Sequence, residues 1–563
     1  MKSIVIIILA VLLLAPEGYA QVPVSIFVDQ QHAEASDTNP GTEALPLKTV
    51  TKGVAIILNN NWLHVATTLT VAPGMYRESI IIPPDGRETD AAITIKAKEI
   101  GKTIISGSDI WTGWTQRGTS DVYEHDWPYR WGLAPLPPFW EGNVTVTPIV
   151  RRREMVFFNG AKLNQALSEA ELSPGSFMVD EAVGKIALRP AEGIGIEGAT
   201  IEVAVRSSIL KITTKKNVTI RGLVLQHDNT PLQGSAATID TVSNVLLEDN
   251  SFVFNNWGGL SLLNVTGATL RRNLAASNGI VGIDTWKVKN LTAEDNITRY
   301  NNWRGSRGRF FGWTAAGMKI MLTHGATIRR HQSVSNETRG LWLDTDCTDV
   351  LIDQARLGEN HTDGLFLEAV QGPVTVHNSV IYNNRDTAGI FIANAANVTL
   401  SGNVIYDNRG PQLLVSGGPK GSRDFSDWET KVKVSVGSEH WAIDGNAIIS
   451  NIFDRLLVNS TLDAATWNSF ITSSSFTRNV WFNPDSPLVF QPASQAPIDF
   501  STWKSSIQGD KNSVFADPLF VDPGTLNFYP KPNSPLIAVA GWPNPNAPKV
   551  PTPPSNLTAE VSP

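Results

Sequence analysis

Two short stretches of this chain share one pattern of apolar and polar positions. Gly340-Leu341-Trp342-Leu343-Asp344 and Gly364-Leu365-Phe366-Leu367-Glu368 carry aliphatic residues at the second and fourth places, an aromatic at the third and an acid at the fifth. A period of two predicts strands, with the leucines on a buried face and the aromatic and the acid together on the opposite one. The pattern is part of a longer repeat. Glycines at 259, 282, 317, 340, 364 and 389 open similar runs, and asparagines recur at 255, 278, 301, 336, 360, 383 and 408. A second register runs through Asn250, Asn273, Asn296, His331, Ala355, Asn378 and Asn403. A fixed period in the low twenties, with short β runs and turn asparagines, predicts an all-β parallel solenoid in which each repeat is one coil. Asparagine suits such turns because it tolerates left-handed backbone and bonds to neighbouring peptide groups.

The regions around this array divide by pattern. Lys2 precedes an apolar run from Ile4 to Leu14, followed by Gly18-Tyr19-Ala20. That is the form of an export signal over residues 1–20, cut after Ala20, and it predicts a secreted or periplasmic protein. Residues 21–110 read as a cap and first coils: a strand at Val24–Asp29, a turn, a short amphipathic helix and further strands. A solenoid needs such a cap, because a bare terminal coil exposes apolar core and unpaired strand edge. Residues 111–203 break the repeat with Trp111, Trp114, Trp127, Trp131, Trp140 and a proline cluster. Two hairpins are expected there, one at Asn159-Gly160 and one within Val179–Leu188, giving a small inserted β-rich subdomain. The solenoid and its closing coils fill 204–540, and prolines then mark residues 541–563 as an extended linker, in which Pro553-Pro554-Ser555-Asn556-Leu557-Thr558-Ala559-Glu560-Val561 resembles the start of an incomplete fibronectin type III module.

Composition narrows the class of function. The chain has 563 residues and a formal net charge of -7, so it lacks the basic footprint of a nucleic-acid binder. Its one cysteine, Cys347, excludes an internal disulfide framework. The apolar run near the N-terminus is shorter than the roughly 20 residues a bilayer span needs, and no later run qualifies, so no membrane partner is expected.

Laying the coils over one another places Trp342, Phe366 and Phe391 in one outward column above Lys319. Asp344 and Glu368 form the next column, between Met321 and Ala393. Asp346 follows two places on, and Arg339 stands immediately before the strand. Between Asn301 and Asn336 the repeat lengthens to 35 residues, and the extra segment, with Arg304 and Trp313, predicts a basic, aromatic loop beside the same face. Aromatic surfaces for sugar rings beside paired acids predict a carbohydrate-binding groove, with carboxylates for proton transfer or nucleophilic attack. Like charges on facing strands repel, so the pair itself marks a functional site.

The segment from Gly340 to Asp344, with Asp363 to Val374 one coil later, resembles the β-helical glycoside hydrolases typified by family 120 β-xylosidases. Residues 24–110 resemble the N-terminal cap of secreted right-handed β-helix proteins. These resemblances imply a right-handed parallel β-helix and assign Asp344 as nucleophile and Glu368 as acid/base of a retaining glycoside hydrolase acting on plant or microbial saccharides. No cofactor is expected, and the columns and the long loop make Trp342, Phe366, Phe391, Lys319, Asp346, Arg339, Arg304 and Trp313 the substrate-binding candidates. Spacing agrees, since adjacent coils lie about 4.8 Å apart and retaining enzymes hold their carboxyls about 5 to 5.5 Å apart. Two other readings compete. In a polysaccharide lyase, Asp344, Asp346 and Glu368 would hold calcium while Lys319 or Arg339 abstracts a proton beside a uronate. A non-catalytic glycan-binding solenoid would use the same face without turnover.

Overall fold

A computed structural model describes residues 22–84, 89–306, 314–507 and 509–542. The export signal, Trp313 and most of the proline-rich tail lie outside the described residues. Nearly all regular structure is strand. A 21-stranded and a 13-stranded sheet, each parallel in its pairings, wrap around one core as successive coils. One coil illustrates the pattern: the Arg339–Asp344 strand, a corner, the Thr348–Asp353 strand, a turn, the Arg356–Gly358 strand, and a turn into Leu365–Glu368.

Alternation sorts the side chains as the pattern predicts. Leu341, Leu343, Leu365, Leu367, Ile390 and Ile392 join the continuous interior core. Trp342, Phe366 and Ala316 form a separate apolar cluster on the outer face. The first end is closed by the helix Val50–Trp62, N-capped by the Thr49 hydroxyl, which presents Val50, Val54 and Ile57 to the core. The inserted subdomain contains the two expected hairpins, Val156–Phe158 with Ala161–Lys162 and Ser176–Asp180 with Lys185–Arg189. Trp140, Val144 and Val150 of this subdomain pack against Trp257, Ile280 and Val281 at the start of the outer face.

Two asparagine ladders fix the coil register. In the first, each Nδ2 donates to the next Oδ1: Asn255 to Asn278 at 2.9 Å, Asn278 to Asn301 at 3.0 Å, Asn301 to Asn336 at 2.8 Å and Asn336 to Asn360 at 2.9 Å. The 35-residue repeat therefore expels its extra segment without breaking the ladder. From Asn360 the chain departs from the expected register, because the next rung is Asn384 at 3.0 Å and not Asn383. Asn384 then reaches Asn408 at 2.7 Å. In the second ladder Ser379, not Asn378, donates its backbone N–H to Asn403 Oδ1 at 2.9 Å. Asn378 and Asn383 occupy the adjacent left-handed positions, each at φ 50°. Asparagine was thus an ambiguous marker: either it bonds along the stack or it supplies the turn, and in Asn383-Asn384 the neighbours divide these tasks.

Asn360 is fully buried. Its Oδ1 accepts from both the backbone N–H and Nδ2 of Asn336, and its Nδ2 also donates to Ser333 O at 2.9 Å. Removing the amide strands several buried groups, at about 1–3 kcal/mol each. Asn360→Ala is therefore expected to lower the melting temperature by several degrees, whereas Asn383→Gly at the exposed turn leaves it nearly unchanged. Thermal unfolding followed by circular dichroism compares them, and equal losses would refute the assigned register.

Candidate active site

The two acids of the shared pattern stand on neighbouring coils. Leu343 pairs with Leu367 just before them, and Asp346 N–H donates to Ala369 O at 3.1 Å just after them. Asp344 and Glu368 therefore end adjacent parallel strands, whose spacing is about 4.8 Å. Both lie on the outer face, opposite the leucines.

Their surroundings differ. Asp344 Oδ2 meets Lys319 Nζ at 2.8 Å. Its Oδ1 accepts from Thr345 N–H at 2.8 Å and from the Thr345 hydroxyl at 2.9 Å. Both carboxylate oxygens are thus oriented, one by a cation and one by the chain itself. The Glu368 carboxyl makes no hydrogen bond or ion pair among the described residues. Burial, and then the negative charge of Asp344, push its carboxyl up to about 7, against the opposing charges of Lys319, Arg423 and Arg339. A group with that proton affinity is poised for acid/base work near neutral pH.

Cations and aromatics interleave around the pair. Lys319 Nζ sits 3.6 Å from the centroid of the Trp342 ring. The Arg339 guanidinium lies 4.8 Å from the rings of both Trp342 and Phe366 and pairs with Asp363 at 2.9 Å. Burial raises Asp363 to about 6, even with Arg339 beside it. Phe366 and Phe391 stack at 4.5 Å between centroids and 11° between planes. Trp342 was expected as part of an open ledge, but it is fully buried and Phe366 nearly so, leaving Phe391 half-buried. The reason is local: the Lys319 and Arg339 heads lie against the rings, and Ala316 packs in the same cluster. These inner aromatics orient the cations.

Two other candidates, Arg304 and Asp346, are placed away from an exposed groove. Arg304 is buried, with its guanidinium donating to Asn256 Oδ1, Gln165 Oε1 and Glu154 O. It fastens the inserted subdomain to the solenoid. Asp346 is also fully buried, and it turns at the corner toward His324, Gln371 and Trp428. The calcium set of Asp344, Asp346 and Glu368 is therefore not assembled among the described residues. Trp313 lies outside them.

Two participants escaped the sequence reading. Asp284 stands one coil before Lys319 in the same column, accepts from the Ser261 hydroxyl at 2.6 Å, and is raised by burial to about 6 while the Lys319 charge opposes the shift. Column alignment would have found it. Arg423 belongs to a hairpin, Arg423–Ser426 with Lys433–Val436, inserted where the repeat had become irregular, and no periodic signal marked it.

Residues 185–354 and 309–423 match a family model described as a right-handed β-helix region. No curated protein matches the chain. Among solved structures, XylC in complex with xylose superimposes with a TM-score of 0.63 at 15% identity, covering 88% of this chain and 87% of that one. The mannuronan C-5 epimerase AlgE4 A-module of Azotobacter vinelandii gives 0.44 at 14% identity, over 82% of this chain and 95% of the module. Pectate lyase Pel9A gives 0.37 at 10%, covering 82% and 80%. No helix among the described residues is long and apolar enough to cross a membrane. Coil topology, the asparagine ladders and the matched family model together make this chain a right-handed parallel β-helix protein.

Proposed function

We propose that the protein is a carbohydrate-active enzyme, a retaining glycoside hydrolase in which Asp344 is the nucleophile and Glu368 the acid/base. The observation that carries this reading is the asymmetry of the acid pair: one carboxylate anchored on both oxygens, its neighbour unanchored and raised to about 7. The coil spacing of about 4.8 Å favours the short carboxyl separation of retaining enzymes over the wider one that admits a water. The sugar held by XylC supports the same class of ligand.

In the first step Asp344 attacks the anomeric carbon while Glu368 delivers its proton to the departing glycosidic oxygen. Forming the glycosyl ester removes the Asp344 charge, one of the two causes that raise Glu368. Glu368 then holds a proton less tightly and takes one from the water that releases the sugar. Lys319 and Thr345 keep the nucleophile aimed along one line of attack.

A second reading rests on the cations. Lys319, Arg339 and Arg423 all act on Glu368, and such a surround also suits a uronate carboxylate and β-elimination. Products separate the two, because elimination leaves an unsaturated, ultraviolet-absorbing sugar and hydrolysis does not.

Two outcomes are expected. Against a panel of neutral and acidic oligosaccharides and aryl glycosides, Asp344→Asn abolishes turnover, while Glu368→Gln slows substrates with poor leaving groups by about 10²–10⁴-fold and spares activated aryl glycosides in the first step. Unchanged turnover by Asp344→Asn removes the assignment. The acid must be protonated in the first step, so kcat/KM should be full below Glu368's raised value and decline as pH rises through about 7. A profile flat across neutrality, or one whose alkaline limb persists in Glu368→Gln with an activated substrate, contradicts the acid/base role.

A further inference from the structure

The corner next to the acid pair holds a second constellation. His324, Asp346 and Asp427 each direct a ligand-type atom into one small volume, with these atoms all within 4.8 Å of one another, and all three residues are buried or nearly so. They come from three separate segments: two successive coils and the tip of the Arg423–Val436 hairpin. His324 Nε2 lies 3.3 Å from Asp346 Oδ1 and 4.0 Å from Asp427 Oδ2. Ligands held about 2.1 Å from a tetrahedral ion stand roughly 3.4 Å apart, so small side-chain movements close the set.

The outer contacts make this more than a group of acids. Asp346 Oδ2 accepts from Trp428 N–H at 2.7 Å, leaving Oδ1 directed inward. Asp427 Oδ1 accepts from Glu429 N–H at 3.0 Å and Thr430 N–H at 2.7 Å, leaving Oδ2 directed inward. His324 Nδ1 faces Glu429 Oε2 at 3.3 Å, and Glu429 is itself held by Lys289. With the ring proton on Nδ1, the Nε2 lone pair points at two carboxylate oxygens. That is a carboxylate–histidine relay ending in three inward acceptors, the arrangement that second-shell groups impose on metal ligands. The Gln371 amide enters this space, its Nε2 lying 2.5 Å from Asp346 Oδ1 and 3.2 Å from Asp427 Oδ2. Rotating that amide by half a turn presents Oε1 as a fourth ligand.

We propose that His324, Asp346 and Asp427, with Gln371, form a binding site for a divalent transition-metal cation such as zinc(II) or manganese(II), which staples the hairpin to the solenoid. One imidazole with two carboxylates selects this class over calcium and magnesium, which favour all-oxygen shells. The ion replaces repulsion between two buried carboxylates with attraction, and the staple seats the hairpin whose Arg423 acts on Glu368. The site is separate from the hydrolase reading and stands or falls without it.

The test uses chelator-treated full chain titrated with zinc(II) and manganese(II) chloride by isothermal titration calorimetry, with calcium(II) chloride as contrast. One equivalent of zinc or manganese is expected at micromolar or tighter affinity, with weaker calcium binding and a higher melting temperature. Asp427→Asn and His324→Gln should each weaken binding at least tenfold. Glu429→Gln, which perturbs only the relay, should weaken it by about 10–100-fold. Protection of the hairpin from limited proteolysis should appear with the metal in the native chain and vanish in Asp427→Asn. Absence of stoichiometric zinc or manganese binding by the unsubstituted protein overturns the proposal, as does binding that folded Asp427→Asn and His324→Gln leave unchanged.

Discussion

Everything in this molecule depends on one coil sitting directly over the next, and buried amide stacks enforce that registration. A parallel sheet alone could slip, because its hydrogen bonds repeat along the strand. The turns cannot, since each ladder asparagine satisfies backbone groups of the coil before it and donates to the side-chain amide of the coil after it, in space closed to water. Displacement by one residue would leave those groups unpaired across every turn of the stack. The glycines that open the outer strands add a steric lock. A methyl group on Gly340 would lie 2.5 Å from Gly364 O and 2.7 Å from Asn360 Nδ2, so the ladder and the strand start permit one another only at this register.

Registration turns sequence columns into chemistry. Along one outer column the order is Ser261, Asp284, Lys319, Trp342, Phe366 and Phe391. Lys319 consequently has an acid one coil below, a ring one coil above, and the Asp344 carboxylate in the adjoining column. Its ammonium meets both at once, 2.8 Å from Asp344 Oδ2 and 3.6 Å from the centroid of the Trp342 ring. Burial of that tryptophan is therefore part of the electrostatics, because a cation held against a desolvated ring gains more than one in open solvent.

The repeat and the acid column were legible in the sequence, since both follow from periods that local chemistry imposes. Gly340 to Asp344 and Gly364 to Glu368 could be aligned by eye, and the backbone pairs them as aligned. The errors have a common source. Asn383 has the spacing of a ladder residue but Asn384 fills that place, because type and spacing do not distinguish a stacked amide from a left-handed turn. Arg304 looked like a surface cation and is instead a buried tie between the solenoid and the inserted subdomain. Period-two alternation says which side of a strand a residue takes, but not what later covers that side. Trp342 does point away from the solenoid core, yet neighbouring cations lie against it. The hairpin tip that reaches Asp346 lies more than 80 residues away and carries no repeat signal, so its role was invisible to any periodic reading.

The division of roles proposed for the two similar acids follows from what each was denied. Strand geometry makes Asp344 and Glu368 near equivalents, both at the fifth place of the same pattern. Lys319 belongs to the coil on Asp344's side, while the position after Glu368 in the stack is Ala393, which offers neither charge nor donor. Thr345 adds two more donors to Asp344, whereas Ala369 follows Glu368 with no side-chain donor. Asp344 therefore has a cation and two donors around its carboxyl, while burial pushes the Glu368 carboxyl up to about 7. Exchanging the cation between the two neighbouring coils would exchange the assignments, even though neither carboxyl had moved.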